Sequence, residues 1–257
     1  MKQLGCFCYL VNHTDQAIKD CIKSLQLLTN NYLVKYPTPI ILFHEHNLTN
    51  EMKHVLYSIN PSLINFIPVE FKTPEHIGET VTIDNITVKS GYMNMCKFFA
   101  NEIFYHPVLS EYEYYCRLDT DSFILSPIPC NIFEQSKNNN INYGFINDRL
   151  YDNPSFFKEL WPLAQKFITD NNIPVYKKLY SEIQEGRIFY NNFEICYLDW
   201  FKQGIYPEFF KVIDKDGGIY RRRWGDYIIR YIGVNSFMHP NQIGRLNINY
   251  SHQGIGK

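Results

Sequence analysis

The sequence has no excess of charge of either sign. Its 257 residues include 25 lysines and arginines and 26 aspartates and glutamates, which gives a formal net charge of −1. A protein that follows a nucleic-acid backbone generally carries a basic surface that neutralises phosphates. The charge balance therefore disfavours nucleic acid as a partner.

Long hydrophobic runs are also missing near the N-terminus. The apolar run at positions 5–11, GCFCYLV, is too short to cross a bilayer, and polar residues follow it directly. We interpret this run as a buried strand and expect no membrane span in the chain. The predicted location is therefore the cytoplasm, with a viral protein or a shortened secretory-pathway protein as alternatives.

Paired cysteines of the zinc-binding type are absent. The seven cysteines are an odd number and include no CxxC pair, which disfavours a zinc site. Cys6 and Cys8 are two positions apart, so in a strand they point to the same face. We predict reduced, buried thiols.

Strands and helices alternate along the first half of the chain. Hydrophobic periodicity predicts strands at 5–11, 39–44, 64–71 and 112–118, helices at 15–28, 48–58, 91–105 and 160–170, and a hairpin at 80–88. A basic segment at 220–231 is predicted to enter a further helix. This order predicts an α/β fold with a mixed, mostly parallel central sheet flanked by helices, in a single domain over residues 1–257.

An acidic triplet follows the last of these predicted strands. Asp119 and Asp121 are two positions apart, so both carboxylates lie on one side of an extended chain. Two such carboxylates can bind one divalent cation, and ligands bind at strand ends in open α/β sheets. The alternative is a solvated turn or a helix cap.

Two further carboxylates stand in unusual surroundings. Glu194 lies between Phe193 and Ile195, where an unpaired carboxylate is costly to bury. Its position indicates either a catalytic role or a pair with an arginine in a structural network, and the sequence favours neither. Asp226 follows a glycine at a predicted helix start, where it can act as a cap.

A basic cluster precedes Asp226, and a histidine stands near the end of the chain. Arg221, Arg222 and Arg223 adjoin Trp224 and can pair with a diphosphate or a sugar hydroxyl. A solvated turn is the preferred interpretation for the first two. His252 can bind Mn²⁺, which accepts oxygen and nitrogen donors, although a lone histidine carries little weight.

Taken in order, five segments resemble the fungal family-15 glycosyltransferases, which are α-1,2-mannosyltransferases. The segments are GYMNMCKF at 91–98, YYCRLDTD at 114–121, NNFEI at 191–195, GGIYRRRWGD at 217–226 and NYSH at 249–252. The resemblance implies a GT-A-like fold and a GDP-mannose-type donor. It also implies Mn²⁺ or another divalent cation, and transfer with retention of configuration to a glycan, a protein-linked sugar or another hydroxyl acceptor.

The resemblance also implies roles for individual residues. The metal ligands are Asp119, Asp121 and His252; the donor site includes Tyr92, Lys97, Asp119 and Asp121; the catalytic carboxylates are Glu194 and Asp226. The donor-binding half is expected over about 1–125 and the acceptor and catalytic half over about 126–257. The sequence departs from the family where Asp119-Thr120 replaces a Glu-Pro pair, Lys97 an arginine and Arg222 a glutamate.

Two alternative functions follow from the same features. The first is a non-catalytic protein that binds nucleotide-sugars or glycans on the same scaffold, which the intact carboxylates at Asp119 and Glu194 disfavour. The second is a nucleotidyltransferase, which also uses paired acids and a metal. That class normally has a glycine-rich, basic phosphate loop near its first strand, whereas Asn-His-Thr-Asp follows Val11 here.

Overall fold

The computed structural model describes residues 2–83 and 85–253. Its strands are β1 (Gln3–Val11), β2 (Ile40–His44), β3 (Ile64–Pro68), β4 (Thr80–Ile83), β5 (Ile86–Lys89), β6 (Tyr112–Leu118), β7 (Ser122–Ile124), β8 (Tyr143–Phe145), β9 (Leu150–Tyr151), β10 (Arg187–Ile188), β11 (Phe193–Tyr197), β12 (Ile243–Arg245) and β13 (Tyr250–His252). Its α-helices are α1 (Asp15–Leu28), α2 (Asn50–Tyr57), α3 (Ser90–Ala100), α4 (Ile132–Asn138), α5 (Leu160–Asp170), α6 (Tyr180–Glu185), α7 (Leu198–Lys202), α8 (Ile205–Asp216), α9 (Gly218–Arg222) and α10 (Asp226–Phe237). A π-helical turn covers Thr29–Leu33, and short 3-10 helices cover Glu102–Tyr105, Pro107–Glu111, Pro154–Phe157 and Pro240–Gln242.

The central sheet has seven strands in the order β12-β8-β11-β6-β1-β2-β3. Strands β6, β1, β2 and β3 are parallel, and β12 is parallel to β8. Strand β11 runs antiparallel between β6 and β8. The predicted mixed, mostly parallel sheet flanked by helices is therefore confirmed.

Helices pack on both faces of this sheet because its central strands are apolar on both sides. Along β1, Cys6 and Cys8 join one hydrophobic core and Phe7 and Tyr9 join the other. The Cys6 and Cys8 sulfurs lie 3.8 Å apart, as expected for two residues on one face. Burial of one large apolar side chain contributes about 1.5–3 kcal/mol, so both faces are needed to stabilise the sheet.

Helix α1 has the predicted bounds, and the Thr14 side chain caps its start by accepting from the Ala17 N–H. The helix predicted at 91–105 instead ends at Ala100. Asn101 leaves the helical region with a φ of −154°, and a 3-10 helix follows it. Asparagine is a poorer helix former than most of the residues before it, which favours a break at this position.

The basic segment at 220–231 leads into a helix as predicted, since α10 begins at Asp226. A short helix, α9, precedes it and is separate from it. The break falls at Arg223, which is left-handed with a φ of 55°, and at Gly225, which is extended. An α-helix needs a right-handed backbone at each position, so it cannot continue through these residues.

The final strand lies beside the acidic triplet. Strand β13 pairs antiparallel with β7, and His252 stands opposite Ser122. No helix in the described ranges, 2–83 and 85–253, is long and apolar enough to cross a membrane. The single domain and its donor and acceptor halves stay predictions.

Candidate metal centre

The acidic triplet forms a tight turn at the end of β6. The Ser122 N–H donates to the Asp119 carbonyl at 3.0 Å, and the Asp119 N–H donates to Ser122 Oγ at 3.0 Å. The Asp119 N–H also lies 3.2 Å from the Asn192 carbonyl, which ties the turn to the start of β11. The backbone that carries both acids is thus fixed by hydrogen bonds from two parts of the chain.

His252 completes a cluster of three candidate metal ligands. Its Nε2 lies 2.9 Å from Asp121 Oδ1 and 3.8 Å from Asp119 Oδ2. One ligand atom from each of the three residues lies within 4.8 Å of the others. Two carboxylate oxygens and one imidazole nitrogen suit Mn²⁺ or a similar divalent cation, so these residues fit the metal that the sequence predicts.

The imidazole of His252 is held from its other side. Its Nδ1 lies 3.0 Å from Tyr190 Oη, and the two rings meet edge to face. A hydrogen bond at one ring nitrogen fixes which nitrogen is free to bind a metal. Sequence reasoning assigned no role to Tyr190, although it directly precedes the NNFEI segment.

The two aspartates have different electrostatic surroundings. Burial raises the pKa of Asp119, although Arg117 and His252 act in the opposite direction. Burial also acts to raise the pKa of Asp121, but the hydrogen bond and charge of His252 outweigh it and lower that pKa. A cation placed between the two carboxylates would favour the ionised form of both.

Arg117 connects this cluster to Asp226. Its Nε lies 2.8 Å from Asp119 Oδ1, and its Nη1 lies 2.5 Å from Asp226 Oδ2. The Asn191 side chain also donates to Asp226 Oδ2, at 2.5 Å. The Arg117 guanidinium covers the Phe99 ring at 3.7 Å. An arginine within an apolar strand was the signal that could have predicted this role.

Glu194 lies in a separate, fully enclosed network. It accepts from Arg230 Nε at 3.0 Å and Nη2 at 3.2 Å, and from Tyr115 Oη at 2.8 Å. Arg230 also donates to Tyr206 Oη and to the Phe99 carbonyl. Neither the Glu194 nor the Arg230 side chain has exposed surface. This is the geometry of the structural alternative that the sequence left open.

The two donor-site residues predicted on α3 lie in different places. Tyr92 and Met95 are one turn apart, and the Met95 sulfur lies 3.8 Å from Arg117 Nη2. Lys97 is two residues beyond Met95, about 200° around the helix. Its Nζ lies 2.9 Å from Asp214 Oδ1 on α8. The structure therefore places Tyr92, but not Lys97, on the helix face that contacts Arg117.

Two solved structures of mannosyltransferases share this architecture. Core-mannan synthase A from Aspergillus fumigatus, in its Mn/GDP form, aligns with a TM-score of 0.87 at 23% identity, over 98% of this chain and 75% of its own. Ktr4p from Saccharomyces cerevisiae, in complex with GDP, aligns with a TM-score of 0.86 at 25% identity, over 98% of this chain and 71% of its own. The chain thus has the GT-A-like glycosyltransferase fold that the sequence predicts.

Sequence comparison identifies the family. Residues 1–257 match the model of the glycolipid 2-alpha-mannosyltransferases, and the chain belongs to this family. It is 26% identical to probable mannosyltransferase KTR4 of Saccharomyces cerevisiae, over 98% of the chain and 60% of that protein. It is 25% identical to O-glycoside alpha-1,2-mannosyltransferase omh1 of Schizosaccharomyces pombe, over 94% of the chain and 67% of that protein. The chain therefore spans 60% to 67% of the length of these relatives.

Proposed function

We propose that this protein is a metal-dependent mannosyltransferase. It moves mannose from GDP-mannose, with retention of configuration, to a glycan, a protein-linked sugar or another hydroxyl acceptor. The observation that carries the proposal is the convergence of Asp119, Asp121 and His252 from distant parts of the chain. Family membership and the Mn/GDP form of core-mannan synthase A support the same donor and metal.

In this proposal Asp119, Asp121 and His252 would hold Mn²⁺. When bound, the cation supplies positive charge that offsets the charge developing on the departing diphosphate. Tyr190 accepts the Nδ1–H of His252, which leaves the Nε2 lone pair free. Arg117 holds Asp119 by its Oδ1, so that the Oδ2 atom is directed toward His252.

We propose Asp226 as the carboxylate that acts on the reacting sugar carbon. It shares the guanidinium of Arg117 with Asp119, which puts it next to the metal cluster. A carboxylate in this position can attack that carbon or stabilise positive charge on it. Catalysis by Glu194 stays a prediction, and its contacts with Arg230 favour a structural role.

The remaining site residues divide in the same way. We propose that Tyr92 lines the donor site, because its helix face contacts Arg117 through Met95. A donor-binding role for Lys97 stays a prediction, because its ion pair with Asp214 points it toward α8.

We also propose that the protein works in the cytoplasm. Its seven cysteines form no disulfide, and six of them are buried as free thiols. Two of these, Cys6 and Cys8, lie close together without being bonded. Free thiols at this number suit a reducing compartment.

The test is release of GDP from GDP-mannose with Mn²⁺ or with EDTA, with and without a mannose acceptor. We expect release that requires metal, and a fall of more than about 100-fold in Asp119→Asn and His252→Gln, beyond the 10–100-fold typical of outer-shell changes. Asp170→Asn is the matched control, because Asp170 is exposed on α5 in an ion pair with Lys166. A protein that binds GDP-mannose and releases no GDP would be the non-catalytic alternative. A panel of other nucleotide-sugars tests the identity of the sugar.

A further inference from the structure

Arg223 adopts a backbone conformation that arginine rarely takes. Its φ is 55° and its ψ is 39°, in the left-handed region. Within residues 2–83 and 85–253, the other non-glycine residues with positive φ are Asn85, Asn140, Asn172 and Gln253. Asparagine tolerates the left-handed region because its short side chain can hydrogen-bond locally, whereas an arginine side chain is not stabilised in this way. Strained backbone of this kind concentrates at functional sites.

The strained backbone sends two neighbouring side chains to different places. Trp224 enters the core, where 1% of its surface is exposed. The Arg223 guanidinium instead lies between two rings. Its Cζ is 4.5 Å from the centroid of Phe156 and 5.5 Å from the centroid of Tyr92. Tyr92 is the residue proposed above to line the donor site.

Arg223 differs from its two basic neighbours in its partners. Arg221 pairs with Asp216, and Arg222 pairs with Glu159. In the part of the chain that the structure describes, no acidic side chain lies within ion-pairing distance of Arg223, and its contacts are with the two rings. Among the described residues the Arg223 guanidinium makes these ring contacts and no hydrogen bond, so its five N–H donors are available.

Asp226, three residues along the chain, and Asp152, which contacts Tyr227, already have partners. Asp226 accepts from Arg117 and Asn191 through one oxygen. Asp152 accepts from Tyr227 Oη at 2.5 Å. The described contacts include no ion pair between Arg223 and either acid, so this arginine is not used to neutralise the proposed catalytic carboxylate.

We propose that Arg223 forms a saccharide subsite, in which its guanidinium edge donates to two neighbouring hydroxyl oxygens of a hexose. This inference rests on the proposed transferase function. Arg117 lies between Asp119 and Asp226, so the Asp226 side of the site is separated from the metal ligands by one guanidinium. A sugar ring, rather than the metal-bound diphosphate, belongs on that side. The rigid fork of an arginine suits two adjacent oxygens better than a lysine does.

The hexose has two sources, the donor and the acceptor, and calorimetric titration separates them. Arg223→Gln is compared with wild type for binding of GDP-mannose, of GDP alone and of methyl α-mannoside in the presence of GDP and Mn²⁺. A donor subsite predicts an affinity for GDP-mannose weaker by about tenfold or more with GDP binding unchanged, since two charge-assisted hydrogen bonds are lost. An acceptor subsite predicts the same loss for methyl α-mannoside alone.

Arg223→Gly separates recognition from folding. Glycine adopts positive φ without steric cost, so we expect this variant to melt at or above the wild-type temperature while it loses the same sugar affinity. Arg222→Gln is the matched control and should bind all three ligands as wild type does. The inference is overturned if both Arg223 variants keep all three affinities within twofold. Because binding is measured directly, a wild-type protein without GDP release would refute the proposed function and still test this subsite.

Discussion

Replacing Glu194 by glutamine tests whether this residue stabilises the fold or takes part in the reaction. The Glu194 and Arg230 side chains form a two-pronged ion pair, and neither has exposed surface. Glutamine keeps the shape but removes the charge, and its NH₂ group faces a donor. Removing one partner of a buried pair costs about 3–5 kcal/mol. Since whole domains are stable by only about 5–15 kcal/mol, the single variant should lose a large part of its free energy of unfolding.

A double variant makes this prediction decisive. Glu194→Gln with Arg230→Met removes both charges, and apolar replacement of a buried pair is often neutral in stability. We expect the double variant to recover most of the loss, measured by urea unfolding followed by tryptophan fluorescence. It should also release GDP from GDP-mannose at a rate near that of wild type per folded molecule. Asp170→Asn, in an exposed ion pair, is the control and should cost less than about 1 kcal/mol.

Two results would refute the reasoning. A loss below about 1 kcal/mol in the Glu194→Gln single variant would show that the buried pair does not stabilise the fold. A double variant that is stable but turns over no donor would assign Glu194 to catalysis, as the family resemblance predicts. Far-ultraviolet circular dichroism distinguishes an inactive folded protein from an unfolded one.

Three further predictions follow from the site and the core. Tyr190→Phe removes the hydrogen bond to His252 Nδ1 and should weaken Mn²⁺ binding about 10–100-fold, as measured by calorimetry with GDP present. The control is Tyr57→Phe, at an exposed tyrosine, which should bind Mn²⁺ as wild type does. Equal Mn²⁺ affinities in Tyr190→Phe and wild type would contradict the prediction. Mn²⁺ at about 100 times its dissociation constant should stabilise the protein by about 2.7 kcal/mol in thermal melts. Asp121→Asn should abolish most of that stabilisation. If the variant is stabilised as much as wild type, Asp121 is not a metal ligand. A thiol reagent at pH 8 should modify Cys130 quickly and the six buried cysteines only in denaturant. The reason is that burial raises the pKa of most of the buried thiols and leaves little thiolate to react. Rapid modification of two or more cysteines in the native protein would contradict the core described here.

Much of the fold of the N-terminal half could be predicted from local patterns. Helix α1 has the predicted bounds because its apolar spacing and its Thr14 cap are both local in sequence. Strand β6 also has the predicted bounds, since an apolar run ends where Asp119 begins. Where a local rule failed, as at Asn101, a single residue left the helical region.

The site was harder to predict, because its closure depends on contacts between distant segments. His252 was predicted from the order of motifs, but β13 reaches Asp121 only by pairing with β7. Arg117 and Tyr190 were visible in the same motifs. Their roles were missed because their partners are far along the chain: Arg117 contacts Asp226, and Tyr190 contacts His252. No periodicity in the sequence encodes such pairs.

The two buried arginines explain how Glu194 can affect the reaction without contacting the sugar. Glu194 and Arg117 are direct neighbours across strands β11 and β6, and α10 packs over both. Helix α10 presents Asp226 to Arg117 and, one turn later, Arg230 to Glu194. Helix α10 supplies the acid in the pair with Arg117 and the arginine in the pair with Glu194. A shift of the helix by one turn would therefore place like charges together.

An unpaired charge at Arg230 would therefore disturb the register of α10 that brings Asp226 to Arg117. It follows that a Glu194 variant can lose turnover simply because α10 moves, carrying Asp226 away from Arg117. Such a loss should be accompanied by lower stability, and the double variant should restore both together. A direct role in the chemistry would separate the two, with stability restored and turnover still absent.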